Sequence, residues 1–120
     1  MRPATDPRPR VTRTDADPRL LGQRCVGCGY RTAAPRPRCP ECRSGLEDTS
    51  FGPGGVVWAA TVVRIPVPGR TPPYTLAYVD LDGGPRVLAH VAGAAARPDV
   101  GARVRLVDAR DGDVTVEVVA

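Results

Sequence analysis

Two Cys-x-x-Cys knuckles, Cys25-Val26-Gly27-Cys28 and Cys39-Pro40-Glu41-Cys42, lie ten residues apart in this chain. Each knuckle holds two sulfurs about one tetrahedral edge apart and turns the backbone so that amides face the thiolates. Gly27 and Gly29 remove the steric objection to that turn. Four cysteines so spaced are a metal set rather than two disulfides. A tetrahedral four-thiolate site is coordinatively complete, with no open position for water or substrate, so it stabilises structure and does not hydrolyse. Iron in the same geometry would make a rubredoxin-like electron carrier, and sulfur softness does not choose between the metals. The rest of the chain has no cofactor signature and no electron partner, which favours zinc. The expectation is one structural zinc on Cys25, Cys28, Cys39 and Cys42.

The surroundings of the knuckles agree with this. Residues 1–10 carry charge and prolines where a secretory signal needs an apolar stretch, and no later run reaches the roughly 18 apolar residues of a membrane span. The expectation is a soluble, cytoplasmic protein in a reducing compartment, where thiols bind metal. All seventeen basic residues are Arg, ten of them in residues 1–43 against four acids, while residues 44–120 hold seven against nine acids. Only the N-terminal third is basic. A divalent ion on four thiolates removes two charges from the formal +4, so net charge argues little for nucleic acid.

Three segments follow from composition. Residues 1–19, with Pro3, Pro7, Pro9 and Pro18, read as an arm that is disordered or ordered by a partner, because they offer little apolar surface. Residues 20–48 form the zinc ribbon. Residues 49–120 switch to Val-rich runs broken by Gly, Pro and Asp, the pattern of successive strands and turns. Strands are expected near 55–65, 74–81, 86–92, 102–108 and 114–119. A Pro-rich loop separates the first two, and Asp82-Gly83 and Asp111-Gly112 supply hairpin turns. Ala94, Ala95 and Ala96 are limited to one helical turn by Gly93 and Pro98. With no crossover helix, the predicted fold is all-β: a five-stranded meander curled into a partly closed OB-fold barrel with a thin Val, Ala and Leu core.

Several of these residues together resemble a known family. Cys25-x-x-Cys28-Gly29-Tyr30, Pro35-Arg36-Pro37-Arg38-Cys39-Pro40-x-Cys42, the Gly52-Pro53-Gly54-Gly55 lead into VVWAATVVR, PPYTLAYVDLDGG, and Val100-Gly101-x-x-Val104 are similar to the zinc-ribbon OB-fold proteins associated with acyl-CoA enzymes, long catalogued as a domain of unknown function. The resemblance covers about residues 20–107. It implies a subunit that pairs with a thiolase-like or ketosynthase-like enzyme, sometimes an aldolase or hydratase, whose barrel helps shape an acyl-CoA channel while the partner supplies catalysis. Members commonly dock through N-terminal helices, which the Pro-punctuated residues 1–18 do not form.

No other residues assemble a catalytic set. His90 is the sole histidine, with no acidic orienter in its own segment. Asp80 and Asp82 lie two apart on one strand face, but the turn already accounts for Asp82. Tyr74 and Tyr78 share a face, with Trp58 in the neighbouring run; core filling or partner contact suits them better than base stacking. Arg36 and Arg38, stiffened by prolines beside the second knuckle, are the candidate CoA-phosphate ligands. The leading expectation is a non-catalytic accessory subunit that binds a thiolase-like or ketosynthase-like partner and helps bind or channel acyl-CoA thioesters. The alternative is a small OB-fold protein for single-stranded nucleic acid.

Overall fold

A computed structural model describes residues 8–14, 17–93, 97–110 and 112–119. The helical turn expected over Ala94 to Ala96 lies outside the described residues. Among the described residues the fold is all-β, with nine strands in two sheets.

The first sheet is built around the long strand β2 (Asp17–Cys25). One edge pairs first with β1 (Val11–Thr14) and then with β3 (Arg31–Thr32); the other edge pairs with β4 (Leu46–Phe51) from Leu20↔Phe51 to Cys25↔Leu46. Of the arm expected over residues 1–19, residues 1–7, 15 and 16 lie outside the described residues. Val11–Thr14 and Asp17–Arg19 are strand, Pro18 is buried, and Val11 packs on the main core. β2 offers Val11–Thr14 backbone donors and acceptors that the local sequence does not reveal.

The second sheet closes into a barrel of β5 (Gly54–Val63), β6 (Tyr74–Leu81), β7 (Arg86–Val91), β8 (Arg103–Arg110) and β9 (Asp113–Val118). Each expected strand appears within three residues of its predicted ends. Gly83, at φ +68°, and the Gly84 amide on the Leu81 carbonyl at 2.9 Å close the β6–β7 turn. The order β5-β6-β7-β9-β8 corrects the expected meander. β9 lies between β7 and β8, beside β7 as a parallel partner, His90↔Thr115 and Val91↔Val116, and β8 closes onto β5. Closure removes the free edges that a flat meander would expose.

Side chains alternate as period-2 geometry requires. Thr75, Ala77, Val79 and Leu81 of β6 point inward, as do Val87, Ala89 and Val91 of β7. The register slips between Val57 and Ala59, so Val57 stays buried while the inserted Trp58 stands outside, 49% exposed. The core is Val, Ala and Leu as expected, with two additions from the first sheet, Leu20 and Phe51. A β-carbon built on Gly84 would stand 2.6 Å from Phe51 Cγ, and one on Gly22 would stand 2.6 Å from Phe51 Cε2. Neither position has room for a side chain.

Candidate functional site

The ribbon end of the first sheet carries the cysteines. Cys25 is the last residue of β2, and the two knuckles fold toward each other as near copies. The Gly29 amide reaches the Cys25 carbonyl at 3.2 Å, and the Arg43 amide reaches the Cys39 carbonyl at 2.9 Å. The Cys25 amide meets the Tyr30 carbonyl at 2.7 Å, and the Cys39 amide meets the Ser44 carbonyl at 3.0 Å. The residue after each second cysteine is left-handed, Gly29 at φ +79° and Arg43 at φ +65°.

The four sulfurs lie within 4.8 Å of one another, with Cys25 Sγ 3.4 Å from Cys42 Sγ and Cys28 Sγ 3.6 Å from Cys39 Sγ. Backbone amides face them as the knuckle argument requires: Gly27 N and Cys28 N to Cys25 Sγ at 3.3 and 3.4 Å, and Glu41 N to Cys39 Sγ at 3.4 Å. Gly27 is needed for close approach, since a β-carbon there would stand 2.7 Å from Ser44 Oγ. Four thiols this close cannot all ionise unaided. The Ser44 hydroxyl and amide bring Cys42 down to about 6. At Cys28 the Tyr30 amide pulls the other way, but burial and the three neighbouring sulfurs together outweigh it and push the thiol up to about 12. A dication resolves that conflict, because it favours the thiolate at every position. The donor set, its compactness and its amide shell fit one structural zinc, as the sequence implied. Among the described residues, this is the one group of three or more clustered metal-ligating side chains.

The other candidates are scattered. The Arg36 amide donates to Gln23 Oε1 at 2.9 Å, and Arg38 Nη1 donates to the Arg43 carbonyl at 3.3 Å; both side chains are exposed. Asp80 and Asp82 do not act as a pair. Arg86 holds Asp80 at 2.7 and 3.2 Å, Arg103 holds Asp82 at 2.7 and 3.1 Å, and these hydrogen bonds lower both carboxyls. His90 does have an acid nearby, contrary to the sequence reading: its Nε2 lies 3.5 Å from Asp113 Oδ2, and Asp113 is bridged by Arg70 and Arg8. That acid is claimed by two guanidiniums. Trp58 and Tyr78 meet edge to face at 6.1 Å and are both about half exposed, so they are not core. Arg86 lies over the Trp58 ring at 3.8 Å, and Leu88, also exposed, sits directly across from Tyr78.

The sequence alone does not show what surrounds Arg24: it lies directly across from Arg31 of β3 on one side and from Glu47 of β4 on the other, all on one face. Only the pairing register reveals this.

Comparison with known proteins agrees with this architecture. Residues 15–47 match the ChsH2 rubredoxin-like zinc ribbon domain, and residues 49–108 match the ChsH2 C-terminal OB-fold domain. A "Probable enoyl-CoA hydratase alpha subunit" of Thermomonospora curvata is 35% identical over 77% of this chain and 32% of its own length. A "DUF35 domain-containing scaffold protein" of Pyrococcus furiosus is 41% identical over 61% of this chain and 55% of its own length. The chain thus spans about a third to just over half of these curated relatives. Among solved structures, an Ltp2-ChsH2(DUF35) aldolase superposes with a TM-score of 0.69 at 28% identity, covering 83% of this chain and 84% of that one. A DUF35 protein of unknown function from Sulfolobus solfataricus shares the fold, with a TM-score of 0.63 at 20% identity, covering 84% and 76%. With both of its halves matched, this chain belongs to the ChsH2/DUF35 family of zinc-ribbon OB-fold proteins.

Proposed function

We propose that this chain is a non-catalytic accessory subunit that docks on a thiolase-like, ketosynthase-like or related acyl-CoA enzyme and helps bind or channel its CoA thioester. The observation that carries the reading is the outer barrel face formed by Trp58, Tyr78 and Leu88. Three large apolar side chains on adjacent strands, each about half exposed, are what an interface core is made of. The metal site supports a scaffold role, because four thiolates leave a zinc ion no open position. The relatives named scaffold protein and the structure described as an Ltp2-ChsH2(DUF35) aldolase support the accessory reading, and the relative named an enoyl-CoA hydratase alpha subunit supports the acyl-CoA setting. A cytoplasmic location goes with this reading.

The test is co-expression with the thiolase-like or aldolase-like subunit encoded nearest to it. The wild-type chain co-purifies and raises that subunit's activity or solubility, whereas Trp58→Ala/Tyr78→Ala lowers co-purification without changing zinc content. Robust thioester turnover by the isolated chain, free of partner traces, would overturn the assignment.

A further inference from the structure

Closure of the barrel does not reach the end of β5. The pairing with β8 runs from Gly54↔Arg105 to Val56↔Arg103. Two bonds at Val57 prolong it: its amide donates to the Ala102 carbonyl at 3.0 Å, and its carbonyl accepts from the Gly101 amide at 2.8 Å. β5 then continues to Val63 against β6 alone. Residues of an antiparallel ladder turn their backbone groups alternately toward and away from the partner strand. Leu81 bonds Pro85 and Gly84 across the β6–β7 turn, which assigns the even-numbered residues of β6 to β5. Thr61 and Val63, opposite Leu76 and Tyr74, therefore bond β6, and Ala60 and Val62 turn their N–H and C=O groups the other way. Among the described residues those groups meet no backbone partner. An open stretch of this kind is a template for one more strand.

The surroundings of this edge are self-complementary. No charged residue stands between Trp58 and Val63, so nothing guards the edge against a like strand. At its head the Gly101–Val57 bond places Val100, 74% exposed, and at its tail stands Ile65, 72% exposed. These are the two most exposed large apolar side chains among the described residues. Two copies paired antiparallel about Thr61 set Ala60 of one against Val62 of the other, so that open groups meet open groups. The same axis sets the head of each edge against the tail of the other, Val100 toward Ile65, twice over. Arg64, exposed at the tail, then lies across from Trp58 of the second copy and not across from another arginine.

We propose that the open edge of β5, Ala60 to Val62, is a self-association site at which two copies of this chain join as antiparallel strands about a two-fold axis at Thr61. A two-fold contact uses the same patch on both copies and so demands the self-complementarity just described. It joins two barrels through one continuous sheet. The Tyr78–Leu88 face stays open, because β6 and β7 lie on the other side of β5. The inference does not depend on the accessory-subunit reading.

The experiment is sedimentation equilibrium of the zinc-loaded full chain, without a partner, over rising concentration. The expected result is a doubling of molar mass. Val62→Pro should abolish the doubling, since that N–H points away from β6 and its removal takes no bond from the β5–β6 ladder. Thr61→Lys, at an exposed position, should abolish it too, because two like charges meet at the axis. Thr61→Glu should do the same alone, and an equimolar mixture of Thr61→Lys and Thr61→Glu should recover the doubled mass. Zinc content and thermal midpoint of each variant show that the fold is kept. A chain monomeric at every concentration, a dimer untouched by Val62→Pro and Thr61→Lys, or a mixture no more associated than its components would each overturn the proposal. A monomeric wild-type chain whose co-purification with an enzyme subunit is lost in Val62→Pro would overturn it as well, and would give the edge to the enzyme.

Discussion

Arg43 holds in the second knuckle the left-handed position that Gly29 holds in the first, at φ +65° against +79°. The two residues also make the same amide bond back to the first cysteine of their knuckle. One half of the pseudo-symmetric site thus uses the residue suited to that backbone, and the other half uses a β-carbon that strains it. For an L residue this conformation costs roughly 1–2 kcal/mol, while glycine's extra freedom in the unfolded chain costs about 0.5–1 kcal/mol.

Arg43→Gly is therefore expected to leave stability unchanged or raise it by up to about 1 kcal/mol, while Gly29→Ala lowers it by about as much. Thermal midpoints of the zinc-loaded proteins decide the matter. A clear loss in Arg43→Gly would mean that its side chain contributes more than its backbone strain removes.

Cys42→Ser, or a strong chelator, is expected to unfold the barrel as well as the ribbon. Structural zinc binding is folding free energy, and Leu20 and Phe51 of the ribbon sheet belong to the barrel core. Amide exchange at Val79 and Val116 reports on this directly, because both are fully buried in the barrel. If those amides stayed protected after metal loss, the two parts would be energetically separate.

Gly84→Ala should be among the more damaging single changes outside the cysteines. Its β-carbon would lie 2.6 Å from Phe51 Cβ and Cγ, and overpacking of this kind costs about 1–3 kcal/mol. Denaturant midpoints measure it. A midpoint unchanged from wild type would mean that Phe51 moves aside without cost.

His90 gives the pH dependence a defined sign. Burial first, and then the Arg70 charge, hold its pKa below the usual 6.5, while Asp113 opposes them. Arg8 and Arg70 bridge Asp113, the Tyr74 ring lies 5.8 Å away, and Nδ1 is buried with no hydrogen-bond partner among the described residues. The unfolded chain therefore takes up a proton that the folded chain resists. Stability should fall as pH drops below about 6.5 and level off once His90 protonates in the folded state. His90→Gln should flatten that slope in denaturation series between about pH 5.5 and 7. An unchanged slope would assign the effect to other groups.

Single-stranded oligonucleotides should bind no tighter than the roughly 10⁻⁴–10⁻⁶ M non-specific range at physiological salt. One face of the Trp58 ring is already taken, since Arg86 sits 3.8 Å over it and is itself tied to Asp80, which leaves a base less ring to stack on. Submicromolar affinity lost in Tyr78→Ala would revive a nucleic-acid role.

The five barrel strands were legible because their signals are local: alternating Val runs, a Pro-rich break and glycines at turns. The cysteine site was legible for the same reason, since spacing alone fixes a knuckle. What escaped was non-local. β1 is polar and the start of β2 carries Pro18; the two pair with each other, and β4, some thirty residues away, joins the sheet only from Leu20 onward. The parallel β7–β9 pairing places Asp113 beside His90 across 23 positions, which no window along the chain can display. Trp58 reads as an inward or outward residue depending on a bulge that only the paired strand reveals.

Phe51 ends a strand of the ribbon sheet, yet its ring is buried in the barrel between Gly22 on one side and Gly84 on the other. For anyone building chimeras, the obvious cut after the last cysteine is then a poor one. A ribbon transplanted onto a foreign barrel would arrive with an aromatic key and no matching lock. Exchange between relatives should succeed only when Leu20, Gly22, Phe51 and the Gly83-Gly84 turn travel together, so that the heritable unit is the joint and the metal knuckles are its outer ornament.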